Sequence, residues 1–321
     1  MNEYRFSKYL YKPKKRKRKV FIILFLLIFA GGGIFYTVFI LHFHFYTVYS
    51  RVVNSYRILS NDYRFLERNL ESGNYNMVIQ EGTPYLEKRP YNDRLLRYVG
   101  EAYYYISTGL TGEEKRESIN KAILFLRKGI VLSQFDEVLT KSYFLLGMAY
   151  FNKGPNHYEL AAEYLSKSFE NGYNDNSLFE ILGYCYFKLG LLDEAIDYLE
   201  KAKVMTPKDI VHLFLAFAYK NKGLFESAIR EFDYLIAKSR DDVILEEAFA
   251  ARAWIDFQEE RFEQSKHNLN KVFDLNKNSA YAHFWMGNIY EKKGDLISAR
   301  KEWRLALKID PKHIGAIEKL Y

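Results

Sequence analysis

AYAHFWMGNIYEKKGDLISARKEWRLALKIDPKH, residues 280–313, decides how the rest of the chain is read. Met286-Gly287 is followed by Tyr290, then by Ala299, Trp303 and Ala306, and Pro311 closes the stretch. Ala253, Ser265, Leu269 and Val272 stand 34 residues ahead of Gly287, Ala299, Trp303 and Ala306. The beat continues upstream with small slips. Leu182-Gly183, Tyr186, Gly190, Ala195, Leu199, Ala202 and Pro207 form one unit, and Ala216, Tyr219, Gly223, Ala228, Phe232 and Leu235 form the next. Leu146-Gly147, Tyr150, Gly154, Ala161 and Leu165 mark an earlier unit, its turn lengthened by Pro155-Asn156. Val99-Gly100, Tyr103, Ala122 and Leu126 mark another, with a turn swollen by Thr108 to Lys115. Gly73, Tyr75, Val78 and Pro90 suggest a worn first unit, seven in all between about Ser60 and His313.

This spacing resembles the L-G-x2-Y…A-x3-F…P signature of the tetratricopeptide repeat, a helix–turn–helix unit. Small residues at positions eight and 20 of the unit let its helices A and B approach, while Tyr290 and Trp303 fill space between hairpins. The glycine near position 15 suits the left-handed residue that ends helix A. Pro207 and Pro311 stop helix B, because proline lacks the amide donor and restricts the residue before it. One hairpin cannot bury its apolar face alone, so neighbours must stack. The expected fold is all-α, a right-handed superhelical solenoid over residues 60–313 with a short capping helix at 314–321.

A second signal lies at the start. Val20 to Leu41 is free of charged side chains and includes FIILFLLIFAGGGIFYTVFIL. About 20 apolar residues cross a ~30 Å hydrocarbon core as a helix. Residues 1–19 form a basic tail ending in the run Lys12 to Lys19, whereas the next positive charge after the span is Arg51. The positive-inside rule then puts the tail in the cytoplasm and the repeats across the membrane, behind a connector at 42–59. A cleaved signal peptide would need a short apolar core and a small-residue cleavage site. Ile28-Phe29-Ala30 is the candidate, and the apolar run continues past it. A lipoprotein would need a cysteine just after the run, and the single cysteine is Cys185. The basic run also resembles a nuclear localisation signal, although its place against the span suits a retained cytoplasmic flank.

Charge separates the two regions. The tail holds nine Lys or Arg against one Glu, a net +8 within a chain total of +7, so the remainder sits near −1. A folded region of that balance lacks the basic stripe that nucleic-acid binding wants. One cysteine excludes an internal disulfide framework. Abundant Lys, Asn, Ile, Tyr and Phe have A/T-rich codons, in keeping with an A/T-rich bacterial genome and an inner-membrane, single-pass protein with periplasmic repeats. No nucleotide, hydrolase, zincin or redox motif is present. His42 and His44, two apart on a helix, would face different directions and suit the membrane interface better than a metal. Cys185 reads as a buried small hydrophobe. The pairs Glu113-Glu114, Asp241-Asp242 and Glu246-Glu247 read as helix starts or turns, where carboxylates favour the macrodipole. No enzyme, cofactor, metal site or small-molecule substrate is expected.

The resemblance implies a concave groove, lined by the A helices, that takes a protein partner. By that resemblance positions 2, 5, 9, 12 and 13 face it. The register then names Tyr104, Tyr105, Met148, Phe151, Tyr184, Phe187, Leu213, Phe217, Trp254 and Phe257, with Asn288 and Lys292 in the last unit. Rings of this kind suit an apolar or amphipathic helix or segment. They suit packing between adjacent A helices as well. With a single span, the chain resembles membrane-anchored repeat proteins of bacterial envelopes. Those serve as scaffolds in flagellar motor or collar, secretion or cell-wall assembly, or as periplasmic chaperones for translocating clients. An enzyme would need a site in unmatched residues such as 42–65.

Overall fold

Each expected repeat folds as two helices joined across a tight turn. The computed structural model describes residues 63–133 and 139–321. The chain divides into units 1–65 and 66–321, and the helices belong to the second, the first of them starting two residues before its boundary. Residues 1–19, 20–41 and 42–59, on which the tail, span and connector were expected, lie outside the described residues. Among the described residues no helix is long and apolar enough to cross a membrane.

In chain order the first pair is α1 (Arg64–Glu71) and α2 (Tyr75–Lys88), followed by α3 (Asp93–Thr108) and α4 (Gly112–Leu132). The third pair is α5 (Thr140–Lys153) and α6 (Tyr158–Glu170), joined by a 3-10 turn at Pro155–His157. Next come α7 (Leu178–Leu189) with α8 (Leu192–Met205), then α9 (Asp209–Asn221) with α10 (Phe225–Lys238). Last are α11 (Asp242–Gln258) with α12 (Phe262–Leu275) and α13 (Ala280–Lys292) with α14 (Leu296–Ile309), capped by α15 (Ile314–Leu320). No strand occurs among the described residues.

The small–large spacing works as an interlock. A β-carbon on Gly183 would sit 2.5 Å from Leu199 Cγ, and one on Gly147 2.7 Å from Leu165 Cγ. Gly287 faces the Trp303 indole in the same way, at 2.5 Å from Nε1. The glycine at position eight therefore admits the large residue of its own hairpin at position 24. The first pair reverses the sizes. Leu66 stands at position eight, fully buried, and Gly82 at position 24, where a β-carbon would meet Val99 of α3 at 2.7 Å. Volume is conserved across the contact, which is why the repeat survives so worn a signature.

Turns follow the same economy. Gly190 and Gly294, at φ +77° and +81°, take the left-handed conformation that a β-carbon disfavours. Glu260 occupies the equivalent place between α11 and α12 at φ +57°, the one non-glycine with positive φ among the described residues. A part-buried polar cluster around the buried Asp256 flanks it. Arg261 donates to Asp256 Oδ1 at 2.6 Å, Arg252 binds the same oxygen, and Asn268 Nδ2 donates to Oδ2 at 2.8 Å.

Three expectations change. The turn after α3 is short, and the extra residues of that unit lengthen α4 to 21 residues instead. Likewise the extra residues before the sixth unit extend α11 at its start, where Asp241 caps the amides of Val243 and Ile244. Glu246-Glu247 consequently lies inside α11 rather than at a helix start. In each case added residues continue a helix because that satisfies their backbone groups, whereas a longer loop would leave them to solvent.

Stacking supplies the core. Each second helix packs on the first helix of the next pair, so buried clusters run on from α3 to α15. First helices also touch one another, α7 with α9, α9 with α11 and α11 with α13, whereas successive second helices make no comparable contact. The first helices therefore line the tighter, inner side of the stack.

Candidate protein-binding groove

Two chemically different stretches occupy that inner side. At its start, α1, α3 and α5 enclose a cleft of about 910 Å3 lined by Glu67, Glu71, Arg94, Arg97, Glu101 and Lys141, with Tyr75 and Tyr105 beside them. The two tyrosine rings stack with centroids 4.9 Å apart. Cations and carboxylates here pair within the wall: Arg94 with Glu67 and Arg97 with Asp93, each at 3.3 Å, and Lys141 with Glu101. Burial pushes the Glu101 carboxyl up despite Lys141, and pushes the Tyr105 phenol up to about 12. This end is a polar wall whose cations are already paired.

From α5 to α13 the groove turns aromatic. Phe151 stacks on Tyr158 of α6 at 5.6 Å and meets the Tyr184 edge at 5.7 Å. Phe214 of α9 stands 4.7 Å from Tyr184 and 5.6 Å from Phe187. Phe225 and Trp254 are 5.8 Å apart, and Phe257 and Trp285 5.0 Å. Each contact bridges consecutive repeats or the two helices of one. Edge-to-face and offset stacking of this kind holds rings in place while leaving faces available.

The expected groove residues divide accordingly. Tyr105, Met148, Phe151, Tyr184, Phe187, Phe217, Trp254 and Phe257 are half-buried on the inner helices, and Lys292 is exposed. Tyr104, Leu213 and Asn288 are instead buried, at 6% exposure each. Tyr104 joins the core of the second to fifth units, and Leu213 joins Ala248 and Ala251 between α9 and α11. Asn288 accepts the indole N–H of Trp303 at 3.1 Å. A tryptophan at position 24 brings a donor into the core, and a buried donor needs its acceptor. Asn288 is a core residue for that reason.

Sequence reading weighted rings over charges and so passed by the cleft. Counting back from Gly100 puts Arg94, Arg97 and Glu101 at positions 2, 5 and 9, so the register does carry that signal. Phe214, Trp285 and Tyr158 have none there, because positions 6 and 17 reach the groove only once successive repeats are rotated against each other. Cys185 is fully buried, and burial pushes its thiol up to about 12. Among the described residues no three His, Cys, Asp or Glu side chains converge as metal ligands would.

Stacked helical hairpins with this interlock define a repeat scaffold, and comparison supplies its family. Tetratricopeptide repeat profiles match residues 280–313 and 144–210. The chain is a tetratricopeptide repeat protein, of a class that as a rule works as a non-enzymatic scaffold for protein–protein interaction. Its fold is similar to that of the quorum sensor NprR from B. thuringiensis in its apo form, with 15% identity, 80% of each chain covered and a TM-score of 0.56. It is also similar to the C-terminal part of a repeat-containing protein from Cytophaga hutchinsonii, at 17% identity and TM-score 0.54, covering 81% of this chain and all 100% of that one. Pseudomonas aeruginosa PilF follows at 15% identity and TM-score 0.50, over 68% and 95%. Against the crystal structure of the APC/C hetero-tetramer Cut9–Hcn1 the chain spans 47% of the matched chain. No curated protein matches the sequence. At these identities the likeness concerns the fold.

Proposed function

We propose that this protein is a membrane-anchored scaffold that seats an apolar or amphipathic segment of a protein partner on the rings of its inner helices. The observation that carries the reading is the run of half-buried rings on consecutive first helices, Phe151, Tyr184, Phe187, Phe217, Trp254 and Phe257. Rings held by their neighbours lose little freedom on binding, and such preorganised aromatics are favoured anchors. The anchor is the apolar stretch 20–41, with residues 1–19 in the cytoplasm and the repeats outside it, and the scaffold serves assembly of an envelope machine. This part rests on the charge asymmetry of the sequence.

Purification of the intact chain from detergent-extracted membranes, with mass spectrometry of what accompanies it, tests the scaffold. One stoichiometric partner, lost on Phe187→Ala/Trp254→Ala, is expected. A smear of weakly held clients would favour a chaperone instead. For the anchor, a reporter active only outside the cytoplasm, fused after Tyr321, should work, and activity of a cytoplasm-only reporter there would overturn the orientation.

A further inference from the structure

Lysines lie over aromatic rings at several places, and most also hold a carboxylate. Lys121, Lys141, Lys167, Lys201 and Lys319 each do, with Glu117, Glu101, Glu163, Asp197 and Glu291. Two lysines of the inner helices differ. Lys188 Nζ stands 5.3 Å from the Tyr184 centroid, 5.7 Å from Phe187 and 5.9 Å from Phe214. Lys220 Nζ stands 5.7 Å from Phe217 and 4.6 Å from Trp254. Neither pairs with a carboxylate within the 4.0 Å of an ion pair among the described residues, a state shared by Lys266 on the second helix α12. Glu247 of α11 is the acid that acts on Lys220, at longer range. Burial also lowers the Lys220 ammonium below the usual lysine range.

Lys220 is half-buried and Lys188 exposed. An ammonium held on a ring face without an ion-pair partner, the half-buried one above all, is a place where an incoming carboxylate gains. The polar cleft at α1, α3 and α5 makes the contrast, since its cations are paired inside the wall. From this difference, and resting on the groove reading above, we infer that the segment taken up between α7 and α11 is acidic as well as apolar. Its apolar side chains sit on Phe187, Phe214, Phe217 and Trp254, and its carboxylates meet Lys188 and Lys220. A basic partner is disfavoured, because it would place like charge over two unpaired ammonium groups.

Three synthetic peptides test this against the full chain kept in mild detergent. They share one apolar pattern, Leu and Phe at helical spacing, and carry Glu, Gln or Lys at every other position. Fluorescence anisotropy should show the Glu peptide binding about tenfold tighter than the Lys peptide, with the advantage shrinking as salt rises. Lys188→Gln/Lys220→Gln should abolish the preference and leave Gln-peptide affinity unchanged, whereas Lys188→Arg/Lys220→Arg should keep it. Phe187→Ala/Trp254→Ala should weaken all three peptides. Equal binding of Glu and Lys peptides, or a preference that persists in the Gln variant, overturns the acidic partner and leaves the groove standing. Binding of none of the three overturns the groove, and the acidic partner with it. Should the double Gln variant melt early, Lys188→Gln alone, at an exposed position, takes its place and should reduce the preference for the Glu peptide. An undiminished preference would assign it to the basic tail and overturn the acidic partner.

Discussion

At the residue scale the fold turns on a few places where a side chain has no room or the backbone has an unusual angle. Gly287 is the tightest of the first kind, since its α-carbon faces the indole of Trp303. Gly287→Leu should lower stability by at least ~1–3 kcal/mol, the cost of overpacking a filled site. Equal melting temperatures for variant and parent would refute the interlock. Glu260 is the second kind. Its left-handed backbone costs a non-glycine residue about 1–2 kcal/mol, partly offset on substitution by the greater freedom of glycine in the unfolded chain. Glu260→Gly should therefore raise stability by about 0.5–1 kcal/mol in chemical denaturation. A decrease would mean that Asp256 and its arginines depend on the Glu260 side chain.

At the element scale the question is what the rings of the first helices contribute. Phe187 and Trp254 contact neighbours in adjacent repeats, Phe214 and Phe225, yet stay half-buried. Truncating a fully buried aromatic costs ~3–5 kcal/mol. Phe187→Ala and Trp254→Ala should each cost less, about half that figure, while reducing partner recovery per folded molecule. A steep loss of melting temperature with unchanged recovery would make these rings core and nothing more. Tyr104, Leu213 and Asn288 mark the opposite case. They share the nominal groove register with the rings, yet all three are buried, Tyr104 and Leu213 within hydrophobic clusters and Asn288 as the acceptor of the Trp303 indole. Position number alone does not separate the two outcomes, because burial depends on what the facing hairpin presents at that point.

At the scale of the whole molecule stability is passed from one hairpin to the next. The cluster that begins at Tyr104 reaches Val211, Leu215 and Ala218 of α9, which cover Leu199 and Ala202 of α8. Ending the chain after Pro207 should bare that face, and the remnant should melt at lower temperature and with less cooperativity than the full chain, as stacked repeats do when an end unit is lost. A remnant as stable as the whole would show the C-terminal hairpins to be independent.

The repeat itself was legible in the residues. Gly183 with Leu199 and Gly287 with Trp303 announce a close contact of two helices, because the volumes must complement wherever the pair meets. Glycines at position 15 announce the turn, because their conformation is local. What only the tertiary structure decided lies between repeats. It set which rings are seam and which are wall, placed Phe214 and Trp285 among them, and gathered Arg94, Arg97, Glu101 and Lys141 around one cleft. Spacing along a helix specifies which residues share its face, whereas the rotation of one hairpin on the next is the summed outcome of many contacts. The same packing left Lys188 and Lys220 on their rings with no carboxylate among the described residues at ion-pair distance.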